Sequence, residues 1–201
     1  WFALAGLQRR LASSPEAIFQ SLRRRRVRLE GQLAEMERIA NHKGPVPISD
    51  LPKGVRLADL EDFDFDDYDD DELEQLEDEV IDAATAAATV AELRAELHEL
   101  RELESIAAEV RASREDKKWT KLSELLQAEQ FTSGGNPRKL IIFSEHKDTL
   151  NYLVERIRSL VGRNEAVVAI HGGMKREDRR RTQEAFRSDP TVQILVATDA
   201  A

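Results

Sequence analysis

Three short apolar runs near the end of the chain constrain its fold more than any other feature. Leu140-Ile-Ile-Phe143, Ala166 to Ile170 and Val192 to Ala197 are too short for buried helices and rich in Ile and Val. Between them lie two amphipathic stretches, Thr149 to Val161, closed by Gly162, and Lys175 to Arg187. Strand, helix, strand, helix, strand with short connections specifies a βαβαβ unit and a parallel sheet. The first run is wholly apolar, as expected of a strand covered on both faces. The expected fold class is therefore α/β, a partial parallel sheet with helices on both faces.

The residues before this block are patterned for helices. Leu4, Leu7 and Leu11 mark a first helix, and Ser14-Pro15-Glu16 marks the start of a second. Ser14 is placed to cap, Pro15 suits the first helical position, and Glu16 favours the positive helix end. Ile18, Leu22, Leu29, Leu33 and Met36 carry that helix to about Ala40. The prolines and glycines between Gly44 and Gly54 then end it, so 41–58 reads as an extended connector. From about Asp71 to Arg114 the run has no Gly or Pro, and Val90, Leu93, Leu97, Leu100, Leu103, Ala107 and Val110 keep a near 3.5-residue spacing. Such a helix is ~60 Å long at 1.5 Å per residue, too long for a compact domain to cover. It is expected to protrude as a coiled-coil-like arm, antiparallel to the helix at 15–40. Lys117 to Gln130 forms one more amphipathic helix, ended by Ser133-Gly-Gly-Asn-Pro137.

Charge divides the chain along the same lines. The 201 residues carry 30 Lys+Arg and 39 Asp+Glu, a formal net charge of −9. Fourteen of the acids fall between Asp59 and Glu79, where there is no base, and the remainder is net +5. The total therefore excludes no polyanionic partner. Other classes are excluded more firmly. There is no cysteine, so disulfides, thiol catalysis and cysteine-ligated zinc are ruled out, and a reducing cytosol is suited. No apolar run approaches the ~20 residues that span a bilayer. The chain begins at Trp1 without an initiator Met and is expected to be a piece of something longer.

Polar residues follow each of the three strands, where open α/β sheets bind their ligands. Ser144-Glu145-His146 follows the first, His171-Gly172-Gly173-Met174 the second, and Thr198-Asp199 the third. The glycine pair permits close backbone approach, and the helix after it opens its N–H groups to the same place, which suits a phosphate. A plain turn is the competing reading. His171 has no second ligand at metal spacing. Ser144 and His146 lack an Asp partner for nucleophilic catalysis.

Lys139 to Leu150 resembles motif IV of superfamily 2 helicases and translocases. Ala169-Ile-His-Gly-Gly-Met174, with Arg179 downstream, resembles the block that follows, and Ile194 to Ala201 resembles the first half of motif V. Within that superfamily the chain is most similar to bacterial Swi/Snf-like ATPases of the RapA type. Asp116 to Leu126 is similar to the helix introducing their second RecA-like lobe, and Leu7 to Arg28 to the basic helices before it. The resemblance divides the chain into a helical region at 1–115 and the first half of a second motor lobe at 116–201. It implies a parent that hydrolyses ATP with Mg²⁺ and tracks nucleic acid, double-stranded DNA above all, with RNA left open. Its Gly-x-x-x-x-Gly-Lys-Ser/Thr loop and Asp-Glu pair are not in this sequence. The fragment alone is thus expected to be inactive, with no catalytic or metal residue of its own, and to work beside the remaining motor lobe. A bacterial cytoplasmic setting without membrane contact goes with the resemblance.

The site residues it implies are Ser144, Gly172, Gly173, Arg179, Thr198 and Asp199, as nucleic-acid contacts and couplers. Strand-end capping competes for Thr198 and Asp199, and a solvated helix for Arg179. Arg23, Arg24, Arg25 and Arg26 form the densest basic cluster, spread over about 300° of helix surface at 100° per residue. A solvated face, nucleic-acid contact and pairing with the acidic run are all open for them. The acidic run, with Phe63, Phe65 and Tyr68 interleaved, reads as a solvated loop or as a docking or autoinhibitory segment. A protein-interaction module, with the arm gripping a partner, is the alternative function.

Overall fold

The computed structural model describes residues 2–41, 90–113, 115–128 and 139–198. The acidic run, the connector, the first half of the long helix and Asp199 lie outside the described residues. In chain order the helices are α1 (Phe2–Ser13), α2 (Pro15–Asn41), α3 (Val90–Ser113) and α4 (Lys117–Gln127). Then come β1 (Leu140–Ser144), α5 (Lys147–Val161), a short 3₁₀ turn at Asn164–Ala166, β2 (Val167–Ile170), α6 (Arg176–Ser188) and β3 (Ile194–Thr198).

The three strands form one parallel sheet in the order β1-β3-β2. β3 is buried along its whole length, which is why every residue from Ile194 to Ala197 is apolar. Alternate residues serve opposite faces. Val167, Ile194 and Val196 meet Leu150, Val154 and Ile157 of α5 and Leu126 of α4 in one core. Ile170, Leu195 and Ala197 meet Phe186 of α6 in another. Helices thus cover both faces, as a βαβαβ reading requires. Local signals close the elements. Gly162 sits at φ 70° in the left-handed region at the end of α5, and Asp116 accepts the Trp119 N–H at the start of α4.

One expectation fails at β1. A strand covered on both faces was expected, but Ile141 and Phe143 are 48% and 65% exposed. Among the described residues, the core beneath α6 draws on β2 and β3 and includes no side chain of β1. Boundaries also shift by a few residues, among them those of α5 and β3. α5 begins at Lys147, not Thr149, and β3 runs from Ile194 through Thr198.

Ser14 separates α1 from α2, and its hydroxyl accepts the Ala17 N–H at 3.0 Å, as its capping position predicts. α2 and α3 pair along a seam of Leu22, Leu29, Leu93, Leu97, Leu100 and Ala107. Their direction is antiparallel. Glu16 meets Arg111, Arg26 meets Glu104, Glu30 meets Arg101, and Glu37 meets Arg94, one chain number rising as the other falls.

Candidate nucleic-acid interface

Strand register brings the polar strand ends together. Ser144 pairs with Thr198, and Ile170 pairs with Ala197, so His171 follows one step beyond, beside Thr198. The central position falls to Thr198 because β3 lies between the other two strands. It is fully buried, and Ser144 is 9% exposed. The Ser144 hydroxyl donates to the His146 carbonyl at 3.3 Å. That carbonyl also accepts the Leu150 N–H at 3.0 Å, so the strand end is tied to the first turn of α5.

The Gly172-Gly173 pair occupies a tight turn closed by Met174 N–H on the His171 carbonyl at 3.1 Å. The Arg179 guanidinium reaches back from α6 to donate to the Gly172 carbonyl at 2.9 Å. Arg179 therefore braces the turn, and its half-buried side chain is directed at protein backbone. Lys175 precedes α6 without a side-chain cap, leaving the first N–H groups of that helix open. Glu177 and Asp178 stand in the same first turn and already complement the helix dipole. A phosphate there would meet both attractive N–H groups and two carboxylates.

Next to this turn an open cleft of about 610 Å³ is lined by Met174, Arg176, Glu177, Arg179, Arg180 and Gln183. Arg176 and Arg180 are exposed and one helical turn apart, so they share a face. Neither was singled out in the sequence. The i,i+4 spacing of two bases directly after a glycine turn is the signal that marks them. At the far end of α6, Lys139 Nζ donates to the Asp189 carbonyl at 2.9 Å and to that of Phe186. Its ammonium also sits 5.3 Å from the Phe186 ring centre. Helix α6 is thereby fastened to the residue before β1.

The arginine cluster of α2 is directed mainly at carboxylates, one of them in the first turn of α5. Arg24 pairs with Asp148 at 2.9 Å, Arg25 with Glu96 at 2.6 Å, and Arg26 with Glu104 at 2.5 Å and Glu30 at 2.8 Å. The Glu104 carboxylate raises the Arg26 pKa further above its ordinary value, against the opposing effect of burial. Arg23 is exposed, lining a shallow groove with Gln20, Val27 and Arg28. Four consecutive arginines thus point different ways, as helical geometry demands. Near the start of α4, Tyr152 donates to Asp116 at 2.9 Å, while Arg156 stacks 4.8 Å from the Trp119 ring centre. Burial, then the Asp116 carboxylate, pushes the Tyr152 phenol up.

Among the described residues no group of three or more His, Asp or Glu side chains could hold a metal ion. These residues do not make a site fitted to Mg²⁺. No helix among them is long and apolar enough to cross a membrane.

Residues 117–201 match the family described as helicase conserved C-terminal domain. The chain is also 36% identical over 86 residues to an ATP-dependent RNA helicase of Lodderomyces elongisporus, covering 42% of this chain and 15% of that relative. The chain thus spans about 15% of the length of that relative. No solved structure matches the chain. Parallel sheet, strand-end row and family match agree, and residues 117–201 are similar to the helicase conserved C-terminal domain.

Proposed function

We propose that the chain is part of a nucleic-acid-dependent ATPase of the Swi/Snf-like translocase type, contributing nucleic-acid contacts and coupling between motor lobes. The observation that carries this reading is the row of Ser144, Thr198 and His171 at one end of a parallel sheet, with the Gly172-Gly173 turn beside it. Exposed Arg176 and Arg180 supply the positive charge that a phosphate backbone requires. Gly172 and Gly173 let the backbone approach, Arg179 holds that turn, and buried Thr198 with Asp199 couples it to the ATP side. ATP and Mg²⁺ would be held mainly by another lobe. The Swi/Snf-like motifs favour double-stranded DNA, while the matched relative is named for RNA.

The test uses the longer protein that contains this chain, with ATP hydrolysis measured against duplex DNA and single-stranded RNA. Thr198→Ala and Asp199→Ala are expected to cut nucleic-acid-stimulated turnover at least about tenfold, about 1.4 kcal/mol of barrier. Arg176→Ala with Arg180→Ala should weaken binding and flatten its salt dependence. Stimulation untouched by all of these changes sinks the assignment. Stimulation by RNA alone replaces DNA as the substrate.

The arm supports a second reading. Leu103, Ile106 and Val110 on α3 are about half exposed and recur at helical spacing, a stripe that suits a protein partner. We propose the α2–α3 pair as a coiled-coil-like interaction arm of the same motor. Changing the three to Gln should leave nucleic-acid binding intact and abolish any partner contact seen by light scattering.

A further inference from the structure

The turn that carries Ser144 is held from outside the sheet. Arg9 of α1 donates to Glu145 at 3.2 Å. Arg24 of α2 donates to Asp148 at 2.9 Å, in a pair whose side chains are 33% and 18% exposed. Between them the Ser13 and Ser14 hydroxyls lie 2.8 and 2.7 Å from Thr149 Oγ1. Ser14 and Thr149 are both buried. Lys118 of α4 adds a contact to the Ala12 carbonyl. Every one of these links joins residues more than 100 positions apart, so none is dictated by local chain geometry.

The hydroxyl cluster can be fully satisfied within the joint. One ordering uses each proton once: Ala17 N–H to Ser14 Oγ, Ser14 O–H to Thr149 Oγ1, and Thr149 O–H to Ser13 Oγ. Removing the Thr149 hydroxyl leaves a buried donor without its acceptor, a costlier loss than that of an exposed bond. Thr149 also stands in the first turn of α5, whose Leu150 N–H shares the His146 carbonyl with the Ser144 hydroxyl. Fixing this helical turn therefore fixes the strand end.

We propose that α1 and α2 position the β1 strand-end turn through Thr149, Asp148 and Glu145, so that this end of the arm is held firmly against the lobe. Thr149 is a positioning residue in this scheme, acting on Ser144 through the His146 carbonyl. Load applied to the arm is transmitted to the strand end. The positioning stands on geometry alone; its effect on nucleic acid rests on the function proposed above.

Amide hydrogen exchange of the full chain, followed by mass spectrometry, tests it without any ligand. Thr149→Val keeps the shape and removes the hydroxyl, whereas Thr149→Ser keeps the hydroxyl. The first should speed exchange in residues 144–150 and in 13–20 together, by roughly five- to tenfold. The second should restore slow exchange on both sides, and β3 should stay unchanged in each. Wild-type rates in Thr149→Val, a rise on one side only, or no rescue by Ser overturns the proposal. If Thr149→Val fails to fold, Arg24→Gln with Asp148→Asn should give the same paired rise, and its absence is equally decisive. A fluorescein-labelled DNA duplex and a single-stranded RNA then report binding. Failure of the wild-type chain to bind either probe counts against the proposed function alone, because the exchange result is read without them.

Discussion

The lobe and the arm both hold helices in place, with different chemistry. In the lobe, β3 is buried on both faces, and its alternate side chains anchor α5 on one side and α6 on the other. In the arm, a single seam of leucines joins α2 to α3, and charged side chains flank it. A leucine seam alone tolerates slippage by a heptad, since each turn resembles the next. The ion pairs remove that freedom, because Arg26 finds Glu104 and Glu30 finds Arg101 in one alignment only. Apolar burial stabilises both regions, while charge specifies position in the arm and hydrogen-bonded strand register does so in the lobe.

The largest test of this contrast puts a charge where each region can least accept one. Val196 has no exposed surface at the centre of β3. Val196→Asp buries an unpaired carboxylate and should cost more than about 4 kcal/mol, unfolding the lobe. Trp119 packs against that core, so its fluorescence in a Trp1→Phe background reports the loss. Leu97→Ala in the arm should cost about 2–4 kcal/mol and lower helical circular dichroism before Trp119 responds. If both variants melt arm and lobe in one step, the two regions are a single cooperative unit and the contrast fails.

Acid provides the next, smaller test. Hydrogen bonding from Arg101 does most to hold the Glu30 carboxyl below its usual range; desolvation opposes it, and the Arg26 hydrogen bond adds a smaller lowering. A carboxyl depressed on folding contributes stability above its unfolded pKa, near about 4.3, and loses it as pH falls through the lower folded value. Helical signal from the arm should therefore decline as pH falls below about 4. Glu30→Gln should flatten part of that decline. Asp189 in the lobe is also held low, chiefly by the Thr191 hydroxyl, and Asp189→Asn should leave the arm's profile untouched.

Much of this fold was legible because its signals are local. Ser14-Pro15 starts α2, Gly162 ends α5, and the apolar runs mark all three strands. The row of strand ends was legible as well, since a parallel sheet aligns the C-terminal ends of its strands. What could not be read was anything set by distant neighbours. Thr149 looked like an ordinary helix start, because nothing nearby signals a hydroxyl partner 135 positions away. Ile141 and Phe143 looked like core because apolar runs do not reveal which strand a covering helix packs on. For Arg179 the motif resemblance implied a nucleic-acid contact and a solvated helix competed, and neither reading foresaw its hydrogen bond to the Gly172 carbonyl.

The smallest expected effect separates two adjacent arginines that the sequence treats alike. Arg23 is exposed on α2, so Arg23→Ala should change stability by no more than about 0.5 kcal/mol. Arg24 is partly buried against Asp148 at the joint between arm and lobe. Arg24→Ala leaves that carboxylate, 18% exposed, without this partner and should cost about 1 kcal/mol or slightly more, read as a lower urea midpoint. The difference should shrink in high salt, because screening weakens the Arg24 pair while Arg23 has little to lose. Equal effects from the two substitutions would mean that the cluster acts as diffuse charge and not through directed pairs. The arm would then be aligned by its leucines alone, and the distinction between the two regions would reduce to the number of apolar faces each one buries.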